Sequence, residues 1–297
     1  MDSELYSPDS ATGFSSPAHA AQLLHRHSYL ADQGLATAIY LARTLPQPLM
    51  LEGEAGVGKT EVAKALADAL GVPLVRLQCY EGIDASQALY EWDYTRQLLH
   101  LRAADLRDGA GRDIYSEEFL LERPLLRALR SEGRCVLLID EIDRADDEFE
   151  AFLLEILSDF QISIPELGVI HSATPPMVIL TSNRTRELHD ALKRRCLYHW
   201  IDLPEPLRET EIIRTRAPEV SEALARKVVR AAARLRRADL VKTPGVAETI
   251  SWSRALQRLG TDRLDVGTVR LTMGAALKER DDLETAEGFI EELADLE

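Results

Sequence analysis

Cysteine is scarce in this 297-residue chain. Cys79, Cys135 and Cys196 lie far apart, and no two form a CxxC pair. That spacing excludes a disulfide framework or a zinc ribbon, so the thiols are read as reduced. Basic charge is also short: 35 Lys and Arg face 50 Asp and Glu, a formal net charge of −15. A broad contact with a phosphate backbone needs the opposite excess, and no nucleic-acid partner is expected. Long apolar runs are missing, since none approaches the roughly 20 residues that cross a bilayer. The polar, acidic N-terminus lacks the basic and then apolar character of a secretory signal. A cytoplasmic protein without stable membrane insertion is the expectation. No internal repeat is present, and His25 and His27 stand close together without partners that would complete a metal site.

The length suggests one large domain or two smaller ones. Residues 1–20, rich in Ser, Ala, Pro and Asp, show no period and read as a disordered leader. From about His25 to Leu45, the residues Leu35, Ala38, Ile39 and Ala42 recur at helical spacing. Pro46 and Pro48 end that pattern. The stretch "LMLEGEAGVGKTEVAKALADALGVP" then reads as strand, glycine loop and helix from about Lys59, with Gly71 and Pro73 as stop signals. "LVRLQC", "CVLLID", "MVILTSN" and "LYHWIDL" supply four more strand candidates, most of them separated by helical patterns. This is the signature of an α/β fold with a five-stranded parallel sheet. After Pro204 and Pro206 only helical periodicity remains, for example Leu224, Val228, Ala231 and Leu235. The expected organisation is therefore an α/β domain over 21–204 and an all-α lid over 205–297. The lid ends in an acidic amphipathic helix whose apolar side is Leu283, Phe289, Ile290 and Leu293.

The chemistry starts at the glycine loop. Gly53-x4-Gly58-Lys59-Thr60 has the P-loop spacing, follows a strand and opens a helix, which is the context that pattern requires. Its glycines let backbone N–H groups curl around phosphate oxygens, and the helix N-terminus adds partial positive charge. The whole run Gly53, Glu54, Ala55, Gly56, Val57, Gly58, Lys59, Thr60 and Glu61 is assigned to ATP. Lys59 reaches for the β and γ phosphates, and Thr60 offers its hydroxyl to Mg²⁺. The apolar run Cys135–Ile139 empties onto Asp140 and Glu141, two adjacent carboxylates that need positive charge nearby. Asp140 is assigned to Mg²⁺ and Glu141 to the attacking water. The alternative is that both cap a helix starting near Asp143. Asp143, Asp146 and Asp147 are read as exposed helix-start charge without chemistry. Asn183, at the end of "MVILTSN", faces the γ-phosphate if its strand neighbours that of Asp140. Otherwise it is an ordinary turn residue. Arg194 and Arg195 end a short helix and suit a role at a neighbouring subunit's γ-phosphate. Arg254, on a lid helix, is placed to reach back to the nucleotide, and the alternative for all three is a solvated arginine.

Together these motifs resemble an AAA+ ATPase of the MoxR family over roughly residues 25 to 260. "YLADQGLATAIYLA", "LLIDEIDRAD" as Walker B, and "DFQISIPELG" before the next strand carry the likeness. The resemblance implies a β-hairpin at "DFQISIPELG", and there Phe160, Ile162 and Ile164 alternate with Gln161 and Ser163. It also implies a helix-2 insert at residues 81–102. It makes Asn183 sensor 1, Arg195 the arginine finger with Arg194 as the alternative, and Arg254 sensor 2, although Ser253 stands where the family pattern has Pro. Within the family, "TRELHDALKRRCLYHWIDLP" and "ETISWSRAL" look most like CoxD-type members, which help to mature molybdenum hydroxylases such as CO dehydrogenase. The implied assembly is a ring, taken as a hexamer, acting with a von Willebrand factor A (VWA) domain partner on a metalloenzyme client. Tyr90, Trp92 and Tyr94 in the insert either grip that client or pack on the parent domain. Three other readings compete: a rubisco-activase-like MoxR ATPase, a nucleic-acid-dependent motor and a nucleotide-bound scaffold. The net charge disfavours the motor, and Glu141 disfavours the scaffold.

Overall fold

The computed structural model describes residues 13–105 and 114–294, so 1–12 of the expected leader lie outside the described residues. The strands are β1 (Leu49–Gly53), β2 (Leu74–Gln78), β3 (Tyr90–Trp92), β4 (Leu120–Glu122) and β5 (Val136–Asp140). β6 (Gln161–Ile164), β7 (Gly168–His171), β8 (Met177–Ser182) and β9 (Leu197–Ile201) follow. The chain divides into two compact units. Among the described residues, one holds 13–24 with Ala31–Glu52 and Val62–Trp200; the other holds His25–Leu30, Gly53–Glu61 and 201–294.

The first unit is built on the five-stranded sheet, order β2-β5-β8-β1-β9. β5 pairs parallel with both β2 and β8, and β8 parallel with β1. Every residue of β1, β5 and β8 is buried, which is why these strands are continuous apolar runs instead of alternating ones. Edge strand β2 alternates, burying Val75 and Leu77 and leaving Arg76 exposed. The helix Gln33–Thr44 buries Leu35, Ala36, Ile39 and Ala42, and Asp32 caps it by accepting from Leu35 N at 2.7 Å. The helix expected from about His25 therefore begins only at Gln33. A separate helix, Pro17–Arg26, precedes it and buries Ala20 and Leu24, so part of the expected irregular leader is helical.

Two small sheets accompany the large one. β6 and β7 pair antiparallel as a hairpin, from Gln161 opposite His171 to Ile164 opposite Gly168. The hairpin stands where the family resemblance put it, and Gly168 turns it with φ of 82°. β3 and β4 also pair antiparallel, so the inserted segment closes on residues 120–122, well beyond the expected 81–102. Trp92 is buried there, edge-on to Tyr90 and Tyr115 with ring centroids 6.1 and 5.3 Å away, while Tyr94 is 61% exposed. Of the three insert aromatics, Trp92 and Tyr90 therefore pack on their own unit. The helix Tyr94–Asp105 leaves Leu98 and Leu99 exposed as well.

The second unit gathers a helical core, with Trp252, Leu224, Val228, Leu235 and Leu256 among its buried residues. Its polar centre is a buried ion pair: Arg236 donates to both carboxylate oxygens of Glu209 at 2.7 Å and to Thr249 Oγ1 at 3.1 Å. A planar guanidinium matched to a carboxylate in this way fixes orientation as well as charge. The acidic tail is two short helices, Arg280–Glu287 and Ile290–Ala294, not the single one expected. Ile290 and Leu293 enter the core, and Arg234 pairs with Glu292 at 2.7 Å and stacks over Phe289 at 4.4 Å. Among the described residues no helix is long and apolar enough to cross a membrane.

Candidate nucleotide-hydrolysis site

In the first unit, parallel pairing brings the ends of β5 and β8 to one edge of the sheet, and with them Asp140, Glu141 and Asn183. Asp140 is 2% exposed. Its Oδ1 accepts from Thr181 Oγ1 at 2.6 Å, and its Oδ2 accepts from Arg76 Nε at 3.0 Å and Nη2 at 2.6 Å. Thus a guanidinium supplies positive charge to this acid, a partner the sequence did not disclose. Burial pushes the neighbouring Cys79 thiol up to about 12, with the charges of Asp140, Asp143 and Glu141 adding to the effect.

Glu141 has left-handed backbone, φ 55° and ψ 50°. For a residue with a Cβ this costs of order 1–3 kcal/mol and persists only where the surroundings dictate it. Here the backbone N–H of Glu141 donates to Thr181 Oγ1 at 2.9 Å. Its carboxylate accepts from Gln78 Nε2 at 3.1 Å, from Arg144 Nη1 at 3.1 Å and from Asn183 Nδ2 at 3.5 Å. The capping alternative fails for Glu141, whose side chain makes no cap bond to the 3₁₀ turn Ile142–Arg144. The next helix begins only at Asp147, capped by Asp146, which accepts from Phe149 N at 2.9 Å.

Asp143 corrects the reading of these acids as exposed. It is 2% exposed, and its Oδ2 accepts from the backbone N–H groups of Asn183 and Thr185 at 3.2 and 2.9 Å and from Thr185 Oγ1 at 2.7 Å. Buried Glu150 repeats the device: it accepts from His189 N at 2.8 Å and pairs with Arg186. Two carboxylates thus tie the turn carrying Asn183 to the segment carrying Glu141. Gln78 and Asp143 are the functional neighbours that motif spacing missed. The alternating pattern of "LVRLQC" was the available signal for Gln78, because a period of two puts Arg76 and Gln78 on one face. Arg194 and Arg195 end the helix Asp190–Arg195, exposed, and neither forms an ion pair among the described residues.

The second unit holds the glycine loop. Gly56 and Gly58 have φ of 80° and 97°, conformations that side chains rarely adopt. A Cβ on Gly56 would meet Glu248 Oε2 at 2.8 Å and Gly245 Cα at 3.2 Å. Lys59 is 6% exposed, and its Nζ donates to the carbonyls of Gly53 and Glu54 at 2.8 and 2.7 Å. A buried ammonium resting on its own loop, beside a helix N-terminus, is the donor set a phosphate chain takes. The loop lines a cleft of about 270 Å³ whose apolar walls include Leu30, Ile212, Val246 and Ile250. Arg254 lines the same cleft, donating to the carbonyl of Arg216 and pairing with Glu219 at 3.4 Å. The lid helix Val246–Arg258 touches the loop directly, Ala247 N donating to Gly56 O at 3.2 Å.

A phosphate loop followed by an acid pair at the end of a buried strand narrows the chemistry to nucleotide hydrolysis. The profile of the AAA domain family, dynein-related subfamily, matches residues 48–196, half of the chain, and covers both features. The chain belongs to this family. It is an AAA+ ATPase of MoxR type, as the motifs implied. The AAA+ chain is 25% identical to the denitrification regulatory protein NirQ of Stutzerimonas stutzeri over 209 residues, 68% of each chain. It is 27% identical to protein NorQ of Paracoccus denitrificans over 193 residues, 62% of this chain and 64% of that one. A RuvB mutant from Thermotoga maritima superposes with a TM-score of 0.48 at 21% identity, covering 82% of this chain and 67% of that one. The chain thus spans about two thirds of the length of these proteins.

The hold of Asp143 on the 183–185 turn yields a test. Asp143→Ala is expected to leave ATP affinity within about twofold and to lower turnover at least about tenfold, the scale of a misplaced positioning group. Measured kcat and nucleotide Kd check it, and unchanged kcat would show that the turn holds itself.

Proposed function

We propose that this AAA+ ATPase hydrolyses ATP at the interfaces of a ring, a hexamer, and spends the cycle remodelling a metalloenzyme client. The observation that carries the reading is the convergence of Gln78, Arg144 and Asn183 on the Glu141 carboxylate, beside buried Asp140. A pure binding module has no use for an acid fixed in strained backbone by three donors.

The roles divide by chemistry. The loop Gly53–Glu61 takes the phosphates through backbone N–H groups, with Lys59 exchanging its carbonyl partners for phosphate oxygens. Thr60 and Asp140 offer the hard oxygen donors that suit Mg²⁺, which would neutralise phosphate charge when bound. Glu141, its carboxylate already oriented, accepts a proton from the attacking water, and Asn183 holds that water from the other side. Arg254 reports the nucleotide to the lid, through the cleft wall it lines. Arg195, or Arg194 beside it, completes the site of the next subunit; their exposure at a helix end, without an ion pair among the described residues, supports that role.

The relatives NirQ and NorQ, the first named as a denitrification regulator, support client activation. The resemblance to CoxD-type proteins supports a molybdenum hydroxylase and a VWA-domain partner. Exposed Tyr94, Leu98 and Leu99 on the insert support a surface that grips protein.

Glu141→Gln is expected to retain ATP binding and lose roughly 100-fold or more in hydrolysis, the usual scale for a positioned base. Phosphate release beside a binding titration checks it; hydrolysis at the wild-type rate removes Glu141 from the chemistry. Arg195→Ala is expected to bind ATP without turnover and to regain activity when mixed with Lys59→Ala, because the intact Arg195 of a Lys59→Ala subunit then completes the site of an Arg195→Ala neighbour whose P-loop is intact. Absence of rescue at every mixing ratio argues against a finger acting between subunits.

A further inference from the structure

Arg76 lies on edge strand β2, two residues before Gln78, so both side chains share a face. In the register of β2 with β5, Gln78 stands opposite Asp140 and Arg76 opposite Leu138. The guanidinium must therefore cross to the next row to reach Asp140 Oδ2, and both Nε and Nη2 do so, at 3.0 and 2.6 Å. The same Nη2 donates to Gln78 Oε1. An amide whose oxygen is taken this way has its NH₂ left to give, and Gln78 gives it to Glu141 Oε2 at 3.1 Å. One cation thus holds both acids, Asp140 directly and Glu141 through a single amide. The Arg76 side chain is 49% exposed against 3% for Asp140, so the arginine has room to leave and the carboxylate does not.

We propose that Arg76 is a positioning residue that balances Asp140 while no divalent cation is bound, yields Oδ2 to the cation, and fixes the amide of Gln78 on Glu141. The proposal rests on the ATPase reading of this cluster. A guanidinium and a divalent ion beside one carboxylate oxygen repel each other, so the arginine competes with the metal. Its solvent exposure limits that competition to the scale of a screened pair.

The experiment is Mn²⁺ binding in the presence of ADP, read from the loss of the free-ion EPR signal. Arg76→Gln is expected to bind Mn²⁺ about fivefold more tightly than wild type, about 1 kcal/mol on the scale of a screened pair. Equal or weaker binding overturns the proposal. Arg76→Lys keeps a cation but cannot bond Oδ2 and Gln78 together. It is expected to hold Mn²⁺ as wild type does while kcat falls at constant KM for ATP. Wild-type kcat in Arg76→Lys also overturns the proposal, and this variant carries the test if Arg76→Gln does not fold. Wild-type protein that takes up no Mn²⁺ with ADP sinks the ATPase reading itself.

Discussion

A carboxylate buried at the tip of a parallel sheet has to be matched by positive charge, and the sheet-bearing unit of this protein is organised around that demand. Asp140 terminates β5 at 2% exposure, where an unpaired carboxylate would cost several kcal/mol. The sheet answers it from both neighbouring strands, with Thr181 from β8 and Arg76 from β2. Because these strands also carry Asn183 and Gln78, the groups that satisfy Asp140 arrive with the groups that orient Glu141. Charge balance at Asp140 and the orientation of Glu141 are products of the same three-strand register.

The strain at Glu141 has a similar origin. A left-handed residue directly after β5 turns the chain so that the side chain leaves the buried strand and meets Gln78, Arg144 and Asn183. Asp143 and Glu150 then sew the turn after β8 to the segment after β5 through backbone amides. Side chains of the same turn reinforce these bonds, Thr185 Oγ1 donating to Asp143 at 2.7 Å and Arg186 pairing with Glu150. The helical unit treats its own glycine loop the same way. Gly56 and Gly245 approach so closely that a Cβ on either would collide, and a lid amide bonds a loop carbonyl. The loop is thereby tied directly to the helix that carries Arg254.

Most of the architecture was legible in the sequence because it follows from periodicity. Continuous apolar runs marked β1, β5 and β8, and the alternation at Phe160–Ile164 agreed with the hairpin that the family resemblance implied. The P-loop and the Asp140–Glu141 pair were legible because their spacing is fixed by phosphate and metal chemistry. Charge partners across strands were not, since Arg76 and Asp140 are 64 residues apart and only register joins them. Asp143 was misread for the same reason: a short acid near a helix start looks solvated until a turn from 40 residues on closes over it. The acidic tail was read as one helix because its apolar spacing runs through Gly288, where the structure breaks it.

In the proposed function Asp140 is the acid through which a divalent cation joins the nucleotide to this protein. Calorimetric titration of ATP with and without Mg²⁺, on wild type and on Asp140→Asn, addresses it directly. The account predicts that Mg²⁺ tightens ATP binding to wild type and has no such effect on Asp140→Asn. A gain from Mg²⁺ of equal size in both proteins would contradict it.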